Sequence, residues 1–320
     1  MLYKKIAITT GDRDGVGFEV TAKALLEIPA SVEKNKAVFF VFRHQYQEKL
    51  QARYFKQLDK KWLRLTFDKL ENSLQFLELI QNNIPDNLLI DLALNNSEAE
   101  WVVEAALACN HGLLNSIVTG PLSKKITARL PNKELGHTGI FRQLFPKQKL
   151  FMAFVGRDFN VLLATDHKPL GEVETELKRT GLKPVLNAAL QLQTLLKSKK
   201  RIGVLGFNPH AGEAGLIGKT EQKLFKNLPK TAEGPLVPDA AFLTKNWKKY
   251  SSFVCLYHDQ GLIPFKMQHG QDSGVHLTLG LEFVRTSVDH GTAFDLFNKN
   301  KANSASMLEA IKLNMKLTGA

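Results

Sequence analysis

The chain has 320 residues, 44% of them hydrophobic, enough for a sizeable core and a length that suits two lobes better than one. Its net charge of +12 raises a nucleic-acid reading, but the basic clusters at 59–64, 197–201 and 246–250 are scattered and no helix-turn-helix, zinc-finger or RNA-recognition pattern accompanies them. A solvated basic surface is the plainer account, and nucleic acid is disfavoured as a partner. No run of about 18 apolar residues offers a membrane span, and the first residues, MLYKKIAITTGD, pass straight into a strand-like segment without an export pattern. Two cysteines, Cys109 and Cys255, lie in apolar surroundings without a C-x-x-C spacing, so a reducing cytoplasm is the default expectation.

In chain order, KIAITT (5–10) predicts a first strand, running through a glycine-rich turn into the helical pattern FEVTAKALLEI (18–28). AVFFVF (37–42) and NLLIDL (87–92) predict buried strands, and SEAEWVVEAALACNH (97–111) a helix. SIVTG (116–120), LFMAFVG (150–156) and FNVLLAT (159–165) read as strands, KPVLNAALQLQTLLKSK (183–199) as a helix. RIGVLGF (201–207) and FVCLYH (253–258) are strands again, and ASMLEAIKLNMKL (305–317) closes the chain as a helix. Strands alternating with helices predict an α/β protein with largely parallel sheets and flanking helices. The short Gly/Pro-rich stretches read as working loops and not as linkers.

In such sheets ligands bind at the carboxyl ends of strands. LLATDH ends in His167, VLGFNPH in His210 and VCLYHD in His258, with Asp259 next to it. One histidine so placed is more often a hydrogen-bonded structural residue; three in equivalent positions favour a shared divalent metal, for which neutral imidazole is a common ligand. The turn GDRDGVGFEV (11–20) could offer N–H groups to an anion, although its spacing is not the G-x-G-x-x-G dinucleotide pattern. TGPLSKK (119–125) likewise follows a strand and reads by itself as a turn with an exposed basic end.

The ordered segments TGD..GVG.E, TGPLSK, GHT, DHKPL, GFNPHAGE, GPL.PD, YHDQGLIPFK and TLGLEFVRTSVDHGTAFDL, spread over residues 6 to 296, resemble the 4-hydroxythreonine-4-phosphate dehydrogenase family of pyridoxal phosphate (vitamin B6, pyridoxine) biosynthesis. The resemblance implies an isocitrate/isopropylmalate dehydrogenase-like two-lobed fold, with both termini in one lobe (1–126 plus 278–320) and a central lobe (127–277) carrying metal and dimer contacts. It implies a homodimer with a shared active site, His167 and His210 coming from one subunit and His258 from its partner. Zn, Mg, Mn or Co would serve as the one divalent ion per site. Asp239 and Lys266 match catalytic positions. His137, Thr138, Lys266, His276 and Arg285 match substrate-binding ones. Ser287, Asp289, His290, Gly291 and Thr292 match the segment that contacts the adenosine half of NAD, with NADP as an alternative.

The implied reaction is NAD-dependent, metal-assisted oxidation of 4-phosphohydroxy-L-threonine at the C3 alcohol, then decarboxylation to 3-amino-2-oxopropyl phosphate and CO2. The sequence departs from the family pattern at Arg13, Asp14 and Phe18, where proline, alanine and proline are usual, removing two conformational locks from the first turn. Gly139 replaces a common glutamate, and the 266–276 segment is one residue longer and ends in His276 in place of asparagine. DLFNKNKAN (295–303) replaces a glycine-containing run, which bears on NAD against NADP. A sister dehydrogenase for threonate or erythronate 4-phosphate, and a non-catalytic binding protein on the same fold, are the competing readings.

Overall fold

The computed structural model describes residues 3–29, 37–127, 136–270 and 273–320. Along the chain the strands are β1 (Lys4–Thr9), β2 (Ala37–His44), β3 (Leu63–Phe67), β4 (Leu88–Leu94), β5 (Ser116–Thr119), β6 (Phe151–Val155), β7 (Asn160–Leu163), β8 (Arg201–Leu205), β9 (Ala232–Leu236), β10 (Tyr250–Cys255), β11 (Val275–Leu279) and β12 (Val284–Ser287). Helices intervene throughout, and the chain divides into two compact units: Met1–Gln148 with Leu281–Ala320, and Lys149–Gly280. The helix His137–Leu144 therefore belongs with the two termini, where Phe141 packs edge-on against Phe283.

The terminal unit carries strands in the order β3-β4-β2-β1-β5-β12, and every pair among them is parallel. Parallel strands covered on both faces read as unbroken apolar runs, and AVFFVFRH in β2 is buried at every position. Burying Arg43 at its end requires a partner: the guanidinium makes two 2.7 Å hydrogen bonds to Asp91 on β4. The helix Glu98–Asn110 starts where the sequence predicts, at a Ser97/Glu100 capping box.

The central unit is mixed. Its order is β11-β6-β7-β10-β8-β9, with β11, β6 and β7 antiparallel in succession and β7, β10, β8 and β9 parallel. The helix His258–His269 buries Leu262 and Phe265 against Phe154, Phe159 and their neighbours. Fully burying a side chain such as Phe265 contributes roughly 1.5–3 kcal/mol, which fixes this helix and the residues it carries at the ends of β7 and β10. Among the described residues no helix is long and apolar enough to cross a membrane.

Candidate functional site

In the central unit β10 is hydrogen-bonded between β7 and β8, with Leu163 opposite Cys255 and Val204 opposite Val254. All three run in parallel, so the loops bearing His167, His258 and His210 leave adjacent strands at the same edge. Those loops are cross-tied. Ala164 N donates to Cys255 O (2.8 Å) and Thr165 Oγ1 to Leu256 O (2.8 Å). Gln260 accepts from Leu256 N (2.7 Å) and donates to Gly206 O (2.8 Å), joining the start of the His258 helix to the start of the His210 loop.

The rings of His167 and His258 lie 5.3 Å apart, centroid to centroid, at 40°. Two imidazoles bound through nitrogen to one tetrahedral cation have centroids roughly 5 Å apart, so the pair fits a metal. His258 Nδ1 lies 2.7 Å from Asp259 Oδ1; with the proton on Nδ1 it donates to the carboxylate, leaving the Nε2 lone pair for a cation. Among the described residues, no group of three or more His, Cys, Asp or Glu side chains gathers within one chain to hold a metal ion. His167 and His258 are neighbours in a single chain, because β7 and β10 are adjacent parallel strands, whereas the family resemblance implies that they come from two subunits.

His210 is exposed and sits in a left-handed run: φ is 51° at His210, 55° at Ala211, 79° at Gly212, 44° at Glu213 and 55° at Ala214. Left-handed backbone costs roughly 1–2 kcal/mol for each L residue, and strain of this kind concentrates at functional sites. The chain doubles back so tightly that a Cβ on Gly206 would meet Ala211 Cα at 2.7 Å. The short helix Pro238–Ala241, bearing the exposed Asp239, packs on this turn. Lys266 shares an open groove of about 470 Å³ with His258, Asp259, Leu262, Ile263 and Met267, all on one face of the His258–His269 helix. His276, on β11, stacks on Phe154 at 5.1 Å, and residues 271 and 272 of its lengthened segment lie outside the described residues.

The terminal unit assembles a second group. Arg285 on β12 is 1% exposed, donates from Nε (3.1 Å) and Nη2 to Thr119 Oγ1, and lies over the Phe141 ring at 5.4 Å. Burial pushes its pKa down to about 9, so it is still a cation at neutral pH. His137 begins the Phe141 helix; desolvation, then the Arg285 charge, hold its pKa well below the usual range, and its Nε2 is buried without a hydrogen-bond partner among the described residues. A neutral imidazole beside a buried guanidinium suits an anionic ligand. Thr138 follows on the same helix.

The expected cofactor segment lies next along β12. Ser287 is not available as a hydroxyl donor: it donates to Thr119 O (3.1 Å) and accepts from Thr119 Oγ1 (3.0 Å). Asp289 N donates to Ser306 Oγ (3.2 Å), and Thr292 O accepts from Val16 N (3.0 Å), bringing the 289–292 loop against the glycine-rich first turn. His290 Nδ1 lies 2.9 Å from Gly291 O, while its Nε2 is buried without a partner among the described residues and Gly291 has open space where a Cβ would be. The orphaned ring nitrogen and the space beside it fit a polar ligand such as an adenosine.

Three comparisons with known proteins bear on this arrangement. Residues 47–314 match the family model described as pyridoxal phosphate biosynthetic protein PdxA. The chain is 33% identical over 328 residues to the 4-hydroxythreonine-4-phosphate dehydrogenase of Aquifex aeolicus, covering 98% of each, and 33% identical to that of Campylobacter fetus, covering 99% of each. The chain belongs to the PdxA family. Among solved structures, a Klebsiella pneumoniae 4-hydroxythreonine-4-phosphate dehydrogenase superposes with a TM-score of 0.77 at 26% identity, covering 100% of this chain and 99% of that one. Against the usual PdxA first turn, Arg13 does more than remove a proline. Its Nε donates to the buried Glu98 and its Nη1 lies 2.9 Å from His44 Nε2, so an ion pair tethers the turn. Phe18 stacks on Phe55 at 4.8 Å. No local pattern in the sequence signals the tethers Thr165 and Gln260, whose roles depend on partners distant along the chain.

Proposed function

We propose that the chain oxidises 4-phosphohydroxy-L-threonine at its C3 alcohol with NAD and decarboxylates the product to 3-amino-2-oxopropyl phosphate and CO2. The observation that carries the reading is the His167–His258 pair, one ring already oriented by Asp259, in a chain of the PdxA family. His167 and His258 of one chain, with His210 from a second copy, hold one divalent cation, so the working unit is a homodimer. The cation supplies Lewis-acid charge where negative charge develops on oxygen during oxidation and decarboxylation, and NAD (or NADP) supplies the hydride acceptor.

The chain's own residues bind, orient and move protons. Arg285 offers a bidentate fork to the substrate's phosphate or carboxylate, and a dianion offsets the cost of its burial. His137, kept neutral, donates or accepts one hydrogen bond beside it, with Thr138 alongside. Lys266, in the groove of His258, brings a mobile positive charge to substrate, and His276 one further hydrogen bond. Asp239, carried on the helix against the His210 turn, takes up the alcohol proton. Asp289, His290, Gly291 and Thr292 receive the adenosine half of the cofactor; Ser287 acts from behind by fixing Thr119 beneath Arg285.

NADH absorbance tests this reading. Purified protein with a divalent cation and NAD gives a rise with 4-phosphohydroxy-L-threonine that a chelator abolishes. A flat trace with that substrate and a rise with threonate or erythronate 4-phosphate moves the assignment to the sister activity, which Gly139, directly after the GHT motif, would favour by removing an acidic contact. Flat traces with the whole panel support a non-catalytic binding role.

A further inference from the structure

We infer that Glu221 is the positioning residue of the His210 turn: its buried carboxylate locks the left-handed backbone that presents the imidazole to a cation. The inference rests on the proposed role of His210 as a metal ligand. Four non-glycine residues in succession around Gly212 hold positive φ, a conformation L residues do not keep unaided, so the turn must be held from outside. Glu221, 5% exposed, is the group that holds it.

The carboxylate grips the turn on both sides of His210. On the entry side Oε1 accepts from Phe207 N (2.8 Å) and Asn208 N (2.6 Å), and Oε2 from Asn208 Nδ2 (2.9 Å). On the far side Oε2 occupies the space a Cβ on Gly212 would approach at 2.7 Å, so the apex rests on the carboxylate and admits only glycine. The Asn208 amide in turn lies against Gly218, where the loop leaves the turn. Hydrogen bonds to a carboxylate out of water are charge-assisted and strong. The base is fixed as well, since the preceding residue, Thr220, donates through its hydroxyl to Glu174. Glu221 is spent wholly on this turn among the described residues and has no part in the proposed chemistry. It acts on the metal only through where it places His210, as the partners behind metal-ligating side chains do elsewhere.

Metal binding by the apo-protein tests the inference without turnover. Zinc affinity is measured by competition with a chromophoric chelator, and the cobalt(II) visible spectrum at saturating metal reports ligand geometry, which a loss of stability alone does not move. His210→Ala and Glu221→Ala both bind zinc more weakly than wild type, the latter by about 10- to 100-fold, and Glu221→Ala alters the cobalt spectrum. Glu221→Gln, which keeps an oxygen for the two backbone N–H groups, restores most of the affinity. Should Glu221→Ala not fold, Glu221→Asp, too short to reach both sides of the turn, carries the same expectation of weakened binding. Wild-type affinity and spectrum in the Glu221 variants, with loss in His210→Ala, overturn the inference and leave the proposed function standing. Wild-type affinity in His210→Ala overturns the ligand assignment and the inference with it.

Discussion

The imidazoles of His167 and His258 lie 5.3 Å apart within one chain, a relationship set by strand order: β7 and β10 are parallel neighbours, and the loops beyond Leu163 and Cys255 leave them side by side. If the site takes two donors from one chain and His210 from a second copy, as proposed, complementation is selective. A heterodimer of His167→Ala and His210→Ala subunits rebuilds one complete site and recovers NADH production. A heterodimer of His167→Ala and His258→Ala has two defective sites and recovers none. The opposite pattern returns the ligands to the partition that the family resemblance implies.

Asp259 orients the His258 ring through the 2.7 Å contact at Nδ1. Its removal lets the ring turn away from the orientation proposed for binding a cation. Asp259→Ala is expected to weaken divalent-metal affinity by about 10- to 100-fold, with Asp259→Asn closer to wild type because an acceptor remains. Chelator competition measures both, and unchanged affinity in Asp259→Ala removes the carboxylate from the account.

Arg285 and substrate charge make a third expectation. A hydrogen bond to a charged group contributes roughly 1.5–3 kcal/mol, so Arg285→Ala raises KM for the phosphorylated substrate by roughly 10- to 100-fold. Arg285→Lys recovers little, because an ammonium does not reproduce the planar fork over Phe141. Steady-state kinetics read the result, and a KM unchanged in both variants contradicts the assignment.

Burial also predicts acid sensitivity. Desolvation lowers the pKa of His44, His137 and His269 in the fold. His269 is the clearest case: its Nε2 accepts from Asp158 N at 3.1 Å, so its Nδ1 carries the proton and lies 3.1 Å from Phe265 O. A depressed folded pKa means the unfolded chain takes up protons first. The stability these rings contribute is complete above the unfolded value near 6.5 and is lost as pH falls below it toward the folded values. Each ring withdraws up to about 1.4 kcal/mol per pH unit in that window. The urea midpoint of the apo-protein therefore falls between about pH 7.5 and 5.5; a constant midpoint contradicts the burial argument.

The sequence made the parallel architecture legible wherever strands were continuous apolar runs, as in AVFFVF and SIVTG. It did not reveal β12, because VRTS carries an arginine through the middle of a buried strand, and Arg285 is tolerated there by Thr119 and the Phe141 face. AEGPL in β9 was hidden by its Gly-Pro pair. The antiparallel run of β11, β6 and β7 was illegible for a different reason: a short apolar segment does not state the direction of its neighbour. The histidines at strand ends were legible as candidate ligands, and two of them, His167 and His258, lie side by side. Which two meet in one chain depended on strand order, and Glu221 and Gln260 act across distances that no local pattern encodes.

The most direct test of the metal centre is anomalous diffraction from crystals soaked in zinc. The expected result is a peak about 2.0–2.1 Å from ring nitrogens of both His167 and His258 of one chain, completed by His210 of a second copy. Rings turned apart with no peak between them, or a peak held by His210 without that pair, contradict it.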